Sequence, residues 1–275
     1  MKDQNNVINV MVNGLPGKMA IEVSKSVLKT DGMDLMAFSL TGPEITQSQY
    51  FLFDNIPIKL LRPDGRDCLT APNFPFISVD YTQPNAVNDN VDFYCRHELP
   101  FVMGTTGGDR KALEQRVKDS QICAVIAPNM AKPIVAFQAM MKYAAETFPE
   151  VFKGYSLEIV ESHQQGKKDT SGTAKAMVQY FNNMGIPFRE NQIVMIRNPE
   201  LQKEIGVLDE YINGHGWHTY TLKSEDRNVL FRFTHNVNGR SVYVNGTLDA
   251  IRFLDKKVKA GEKGKVYSMI DVLKG

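Results

Sequence analysis

Between Glu161 and Met177 the chain reads ESHQQGKKDTSGTAKAM, and two kinds of chemistry meet there. His163 can carry a proton near neutral pH, and Lys167, four residues on, is a charge anchor or, with a lowered pKa, an acid. Ser171, Gly172 and Thr173 then open a helix. The first amides of a helix lack internal partners and carry partial positive charge, so small residues there let an anion approach. A lone histidine is more often a satisfied structural side chain; the attached Lys167 and the Ser-Gly-Thr start tip the reading to a site.

A second candidate stands at the other end of the chain. Gly14-Leu15-Pro16-Gly17-Lys18-Met19 falls between a strand over Val7 to Val12 and a helix running to about Lys29, where a dinucleotide pyrophosphate would rest on the helix N-terminus. Pro16 occupies the middle position, so this is a GxxG turn and not the full GxGxxG. Such turns are common without a ligand, and it is the place of this one, at the start of an alternating α/β chain, that favours function. The next apolar run, Leu35 to Leu40, ends in Ser39, Leu40 and Thr41 with no acid for ribose hydroxyls, and Asp34 is at its wrong end. Hydroxyls at Ser39 and Thr41 with Lys18 nearby favour NADPH over NADH; the bland alternative is ordinary turn residues. Gly104-Thr105-Thr106-Gly107 and Ala127-Pro128-Asn129-Met130 each follow a buried strand, at the end where open α/β sheets bind ligands.

The elements that must position these groups fall into two sets. Phe76 to Val79, Phe101 to Met103 and Ile122 to Ile126 read as buried strands, with helices near Val87 to Tyr94 and Arg110 to Lys118 between them. This alternation predicts a parallel, doubly wound sheet, a Rossmann-type dinucleotide-binding domain; Tyr50 to Leu61 fits it poorly and reads as an extra hairpin. After a helix from Pro133 to about Phe148, the pattern changes. Leu157 and Ile159 alternate with polar neighbours, and Ala174, Met177, Val178 and Phe181 form a helical stripe stopped by Gly185 and Pro187. Trp217 to Leu222, Val229 to Thr234 and Ser241 to Val244 also alternate, which predicts an open mixed or antiparallel sheet. The expected fold is therefore α/β, with residues 1–131 and 244–275 in the dinucleotide-binding domain and an α+β substrate-binding domain over 132–243. Asp249 to Lys257 is expected to be helical and to return to the first domain.

Composition narrows the partners. The chain has 275 residues and a formal net charge of +1, and its aromatic residues are not interleaved with basic clusters, so nucleic acid and an anionic membrane surface are disfavoured as partners. Three cysteines, Cys68, Cys95 and Cys123, lack CxxC spacing and read as reduced and structural. The first residues lack the features of a signal or transit peptide and no apolar run is long enough to span a bilayer, so a cytoplasmic location is expected. His215 and His218 have HxxH spacing, but the adjacent Gly214 and Gly216 suggest a turn and no carboxylate completes a ligand set, so no metal is expected. His235 reads as a surface residue, and Arg240 could pair a carboxylate.

The stretches GLPGKMA, FVMGTTGGDR, APNMA, ESHQQGKKDTSGTAKA, FTHNVNGR and VYSMIDVL together make the chain resemble the 4-hydroxy-tetrahydrodipicolinate (dihydrodipicolinate) reductases of the diaminopimelate route to lysine. The family pattern has two histidines in a row; here Gln164 replaces the second and Thr170 leads directly into Ser171, as in the plant-type branch. The resemblance implies NADPH- or NADH-dependent reduction of a six-membered ring dicarboxylate with loss of water. It implies that His163 and Lys167 supply protons and that Gln164, Ser171, Gly172, Thr173 and Arg240 hold substrate. It places Gly14 to Met19 at the pyrophosphate and Gly104 to Thr106 with Ala127, Asn129 and Met130 at the nicotinamide end. It further implies closure of the two domains on the ligands and a homo-oligomer, a dimer in preference to a tetramer. Two rivals stay open, another two-domain nicotinamide oxidoreductase and a non-catalytic NADPH-binding sensor.

Overall fold

Val10, Met11 and Val12 are fully or almost fully buried, as a strand covered on both faces requires. They belong to β1 (Ile8–Asn13), which is followed by α1 (Lys18–Lys29), β2 (Met33–Leu35), β3 (Phe38–Leu40), β4 (Tyr50–Phe53) and β5 (Ile56–Leu61). Then come β6 (Phe76–Asp80), α2 (Val87–Arg96), β7 (Phe101–Met103), α3 (Arg110–Lys118) and β8 (Cys123–Ile126). The computed structural model describes residues 7–53, 55–68 and 75–275, with the backbone alone at 67 and 68. The chain divides into two compact units, 1–132 with 241–275, and 133–240.

In the first unit six strands form a parallel sheet in the order β13-β8-β7-β6-β1-β2, where β13 (Lys265–Tyr267) comes from the end of the chain. Val87, Val91 and Tyr94 of α2 and Leu113 and Val117 of α3 pack with Met11, Phe101 and Met103 in one core. Full burial of each such large side chain is worth about 1.5–3 kcal/mol. The expected strand over Leu35 to Leu40 is corrected: β2 pairs with β1, but β3 pairs with β5 in a separate three-stranded sheet, β3-β5-β4. The chain bends between them, where Met36 N–H donates to Val10 and Ala37 O accepts from Lys59. The hairpin expected over Tyr50 to Leu61 is present as β4 and β5, and Asn55 takes the left-handed conformation in its turn (φ 74°). Cys95 and Cys123 are buried free thiols, while the Cys68 side chain lies outside the described residues.

The second unit contains β9 (Ser156–His163), α5 (Gly172–Asn183), β10 (Val194–Ile196), α6 (Pro199–Glu204), β11 (His215–Lys223) and β12 (Leu230–Asn238), after α4 (Lys132–Thr147), which begins at its boundary. Its sheet runs β10-β9-β11-β12, parallel at the first pair and antiparallel at the others. Met141 and Ala145 of α4 and Ala174, Met177, Val178 and Phe181 of α5 cover Ile159, Tyr220 and Leu222.

One expectation fails here. Ser241 to Val244 is not a strand but the first turn of α7 (Ser241–Lys259), whose buried residues Val244, Leu248, Ile251 and Leu254 recur at helical spacing. Four alternating residues are too few to outvote a 19-residue helix. His163 ends β9, paired with Gly216 of β11. The chain closes with α8 (Met269–Lys274), capped by Ser268, and none of the described helices is long and apolar enough to cross a membrane.

Candidate active site

In the second unit, the period of two that turns Leu157 and Ile159 inward turns Glu161 and His163 inward as well. Antiparallel register then builds rungs on that face. Leu157 meets Leu222 and Phe231, Ile159 meets Tyr220 and Phe233, and Glu161 meets His218 and His235. One face thus changes from apolar to ionisable along its length. The apolar rungs lie under α5, and Ser171, which caps that helix by accepting from Ala174 N–H (3.0 Å), bonds the ionisable one.

Glu161 is fully buried. Its Oε1 is ion-paired with Arg197, its Oε2 accepts from Ser171 N–H (3.1 Å), and His218 Nε2 lies 3.7 Å away. Burial alone would raise its carboxyl, but His218, Arg197, the Ser171 amide and His163 outweigh that and hold it well below the usual carboxylate range. His218 Nε2 also hydrogen-bonds Ser171 Oγ (2.8 Å). His163 Nδ1 lies 3.3 Å from the His215 carbonyl, a contact that needs the proton on Nδ1 and leaves Nε2 with a lone pair. Among the described residues that Nε2 is buried without a hydrogen-bond partner, 4.0 Å from Glu161 Oε2. Burial first, and then the neighbouring His218, push His163 down to about 4 against the pull of Glu161. His163 is therefore a neutral proton acceptor beside a fixed negative charge.

Lys167 Nζ is paired with Asp169 Oδ1 (2.7 Å), and its carbonyl accepts from Arg197 Nε (2.8 Å). Arg197 also bonds the Asp169 carbonyl (3.4 Å), so one guanidinium ties the Lys167 loop to Glu161. Gln164 and Gly172 are exposed and Thr173 is half-buried; among the described residues the amides of Gly172 and Thr173 have no hydrogen-bond acceptor. Arg240 is half-buried beside Gly214, its side chain without an ion pair among the described residues. His235 is not a free surface group: it is half-buried, with its ring 4.7 Å from His218 and 5.7 Å from Phe137. The HxxH pair is not in a turn. His215 and His218 lie on β11, and Glu161 supplies the missing carboxylate, so that ligand atoms of Glu161, His163 and His218 lie within 4.8 Å of one another. The Arg197 ion pair on Glu161 and the Ser171 bond to His218 Nε2 already engage that set, and a second cation would be repelled by the guanidinium.

In the first unit, the Gly14–Gly17 turn opens a cavity of about 950 Å³ whose wall also includes Thr41, Gly42, Glu44, Arg66 and Tyr81. A Cβ at Gly14 would run into the Tyr81 carbonyl, and φ of 105° there excludes most other residues. The first amides of α1 follow Gly17, which is extended at the cap position and leaves them free for an anion. The residues present thus fit a dinucleotide pyrophosphate. Leu15 is buried, Pro16 and Lys18 are exposed, Met19 is half-buried, and Lys18 and Met19 lie outside the cavity wall.

Ser39 and Thr41, expected at the ribose, have their hydroxyls turned to the backbone of Leu15. Ser39 is fully buried with Oγ 3.4 Å from Leu15 N, and Thr41 donates to the Leu15 carbonyl (2.6 Å). Both hydroxyls hold the turn in place. Thr105 likewise donates to the fully buried Asp80 (2.6 Å), and Asn129 Oδ1 accepts from Ala131 N–H (2.9 Å). Gly104 is half-buried, Thr106 exposed, Ala127 and Met130 buried, and none of them lines this cavity. Sequence reasoning passed over Glu161, Arg197, Asp80 and Arg66, and weighed His218 only as a metal ligand. The signal for Glu161 was available, since a carboxylate in phase with Leu157 and Ile159 must find a buried partner.

A parallel sheet with a glycine turn at its first helix, joined to a mixed-sheet unit with a proton-handling cluster, defines a two-unit nicotinamide-dependent oxidoreductase. Residues 8–130 match the family model described as dihydrodipicolinate reductase, N-terminus, and residues 133–273 match that for the C-terminus. The chain belongs to the dihydrodipicolinate reductase family, oxidoreductases of lysine biosynthesis. It is 44% identical to a protein of Oryza sativa subsp. japonica named probable 4-hydroxy-tetrahydrodipicolinate reductase 2, chloroplastic, over 96% of this chain and 82% of that one. It is also 44% identical to 4-hydroxy-tetrahydrodipicolinate reductase 1, chloroplastic, of Arabidopsis thaliana, over 98% and 78%. A dipicolinate-bound dihydrodipicolinate reductase from Paenisporosarcina sp. TG-14 has the same fold, with a TM-score of 0.68 at 20% identity, covering 96% of this chain and 98% of that one.

The expected cytoplasmic location is overturned by the same plant relatives, which are chloroplastic by name. Charge and apolarity near residue 1 describe the chain as written, and a compartment does not follow from them.

Proposed function

We propose that this chain reduces 4-hydroxy-tetrahydrodipicolinate to tetrahydrodipicolinate with NADPH in preference to NADH, and that His163 and Lys167 handle the protons. The observation that carries this reading is the inward cluster of Glu161, His163, His218 and Ser171 at the start of α5. Reduced nicotinamide, when bound, supplies the hydride. The residues of the chain do the rest. The free amides of Gly172 and Thr173, beside Ser171, hold one ring carboxylate, and Arg240 is the candidate for the second. Gln164, exposed after β9, is a further substrate contact. Lys167, charged and fixed by Asp169 and Arg197, lends a proton, and neutral His163 relays one at Nε2. The departing 4-hydroxyl needs one such proton to leave as water. Gly14 to Gly17 cradle the pyrophosphate, followed by Lys18 and Met19 in the first turn of the helix. We further propose a homodimer, for which exposed Val194 and Met195 on β10 and Leu230 on β12 offer apolar surface.

The test is NADPH oxidation with substrate made in place by the preceding synthase from pyruvate and aspartate semialdehyde, with NADH run in parallel. Synthase-dependent oxidation is expected. Lys167→Ala should lower turnover by about 10²–10⁴-fold while NADPH binding is unchanged. NADPH binding without any oxidation would turn the reading to a sensor or to a different ring substrate.

A further inference from the structure

Arg66 is only 8% exposed, and a guanidinium that deep needs an anion or a full set of acceptors. Among the described residues it has neither. Nη1 donates to Asn90 Oδ1 (2.7 Å), Nε is buried without a partner, and no carboxylate pairs with it. Asn90 is itself held, because its Nδ2 donates to Asp80 Oδ2 (2.9 Å) and Thr82 Oγ1 (2.9 Å). Its oxygen is thus turned to Arg66, and the guanidinium is fixed before any ligand arrives. A buried cation with unfilled donors is costly unless something negative comes to it.

The place says what that is. Arg66 lines the same cavity as the Gly14–Gly17 turn and as Thr41, Gly42 and Glu44, which follow β3. In a doubly wound sheet this is where the adenosine ribose lies, one step beyond the pyrophosphate. Glu44 suits a ribose hydroxyl and would repel a phosphate on it, so a cation must offset that charge if a phosphate is to bind. Ser39 and Thr41, whose hydroxyls face the Leu15 backbone, cannot do this.

We propose that Arg66 is the specificity-determining residue of the cofactor site and receives the 2′-phosphate of NADPH. This rests on the NADPH-dependent reading above and gives it a residue that the second strand does not supply.

The experiment measures kcat/KM for NADPH and for NADH in wild type, Arg66→Ala, Arg66→Lys and Arg96→Ala. Arg66→Ala should lose about 10- to 100-fold with NADPH and under about threefold with NADH, while Arg66→Lys recovers part of the loss. Arg96, exposed on the same wall, reports general cavity charge, and its removal should cost both cofactors under about threefold. Equal losses for both cofactors with Arg66→Ala would mean a pyrophosphate or packing role and overturn the proposal, as would no loss. Should that variant fail to fold, the wild-type protein decides. Adenosine 2′,5′-bisphosphate should bind about tenfold or more tighter than AMP, and equal binding refutes the role. The binding arm needs no substrate, so the proposed reaction could fail while this assignment stands.

Discussion

Among the described residues each unit of this protein buries one carboxylate completely, and the two are satisfied by opposite means. Asp80, at the end of β6, accepts from Tyr94 Oη (2.8 Å), Asn90 Nδ2 (2.9 Å), Thr105 Oγ1 (2.6 Å) and Thr82 Oγ1 (2.8 Å), all neutral donors, with no ion pair among the described residues. Glu161, near the end of β9, is held by a guanidinium, an amide and histidines. Hydroxyls and amides do not titrate near neutral pH, so the Asp80 network is a fixed brace. Through Tyr94 and Asn13, whose side chains bond one another (3.0 Å), and through Asn13 Oδ1, which accepts from Leu40 N–H (2.8 Å), it locks the glycine turn to β3. Histidines do titrate, and the Glu161 network can therefore pass protons while the brace cannot.

The contrast breaks most visibly when the acid is removed. Glu161→Ala leaves Arg197, with 16% of its side chain exposed, beside no counter-charge, and takes the acceptor from Ser171 N–H. The expected loss is about 3–5 kcal/mol in urea unfolding at neutral pH. A loss below about 1 kcal/mol would mean that solvent or Asp169 takes over the guanidinium, and the cluster would then not depend on Glu161.

Asp80→Asn should cost less, about 1–3 kcal/mol, because no buried cation is orphaned but the new amide NH₂ faces donors that have lost their acceptor. The two variants measured side by side sharpen the comparison. If Asp80→Asn proved the costlier, the neutral network would be the stronger of the two.

Which parts of this arrangement could be read in advance follows from how local they are. The buried strands around Phe76, Phe101 and Cys123 and the helix from Arg110 to Lys118 were legible because runs and stripes are properties of neighbouring residues. His163, Lys167 and Ser171 were legible from a motif. Arg197 and His218 were not, because they reach Glu161 through strand register, β10 alongside β9 and β11 against it, which no local pattern encodes. The alternation in Ser241 to Val244 misled for the converse reason: the helix that begins there is set by its buried face many residues on. Arg66 was overlooked because it follows β5, inserted into the parallel alternation, and only the fold brings it to the glycine turn.

The smallest effect separates the networks by pH. His163 and His235 are each pushed from 6.5 to about 4, in both cases chiefly by burial and then by His218. Between those values the unfolded chain binds more protons than the folded one, so stability rises with pH across the window and is lost as pH falls from 6.5 towards 4. Glu161, held lower still, stays charged in the fold across this window and adds to the same slope only towards its acid end, where the carboxyl of the unfolded chain, ordinarily at 4.5, takes up a proton. His235→Phe keeps a ring against Phe137 but leaves Tyr220 Oη, 3.4 Å from His235 Nε2, without that partner. It should therefore cost about 1 kcal/mol at pH 8 and flatten the decline between pH 6.5 and 4, so that its disadvantage shrinks or reverses in acid. Urea midpoints at four pH values decide it: parallel curves for the variant and the wild type would show that His235 takes its proton as freely in the fold as outside it.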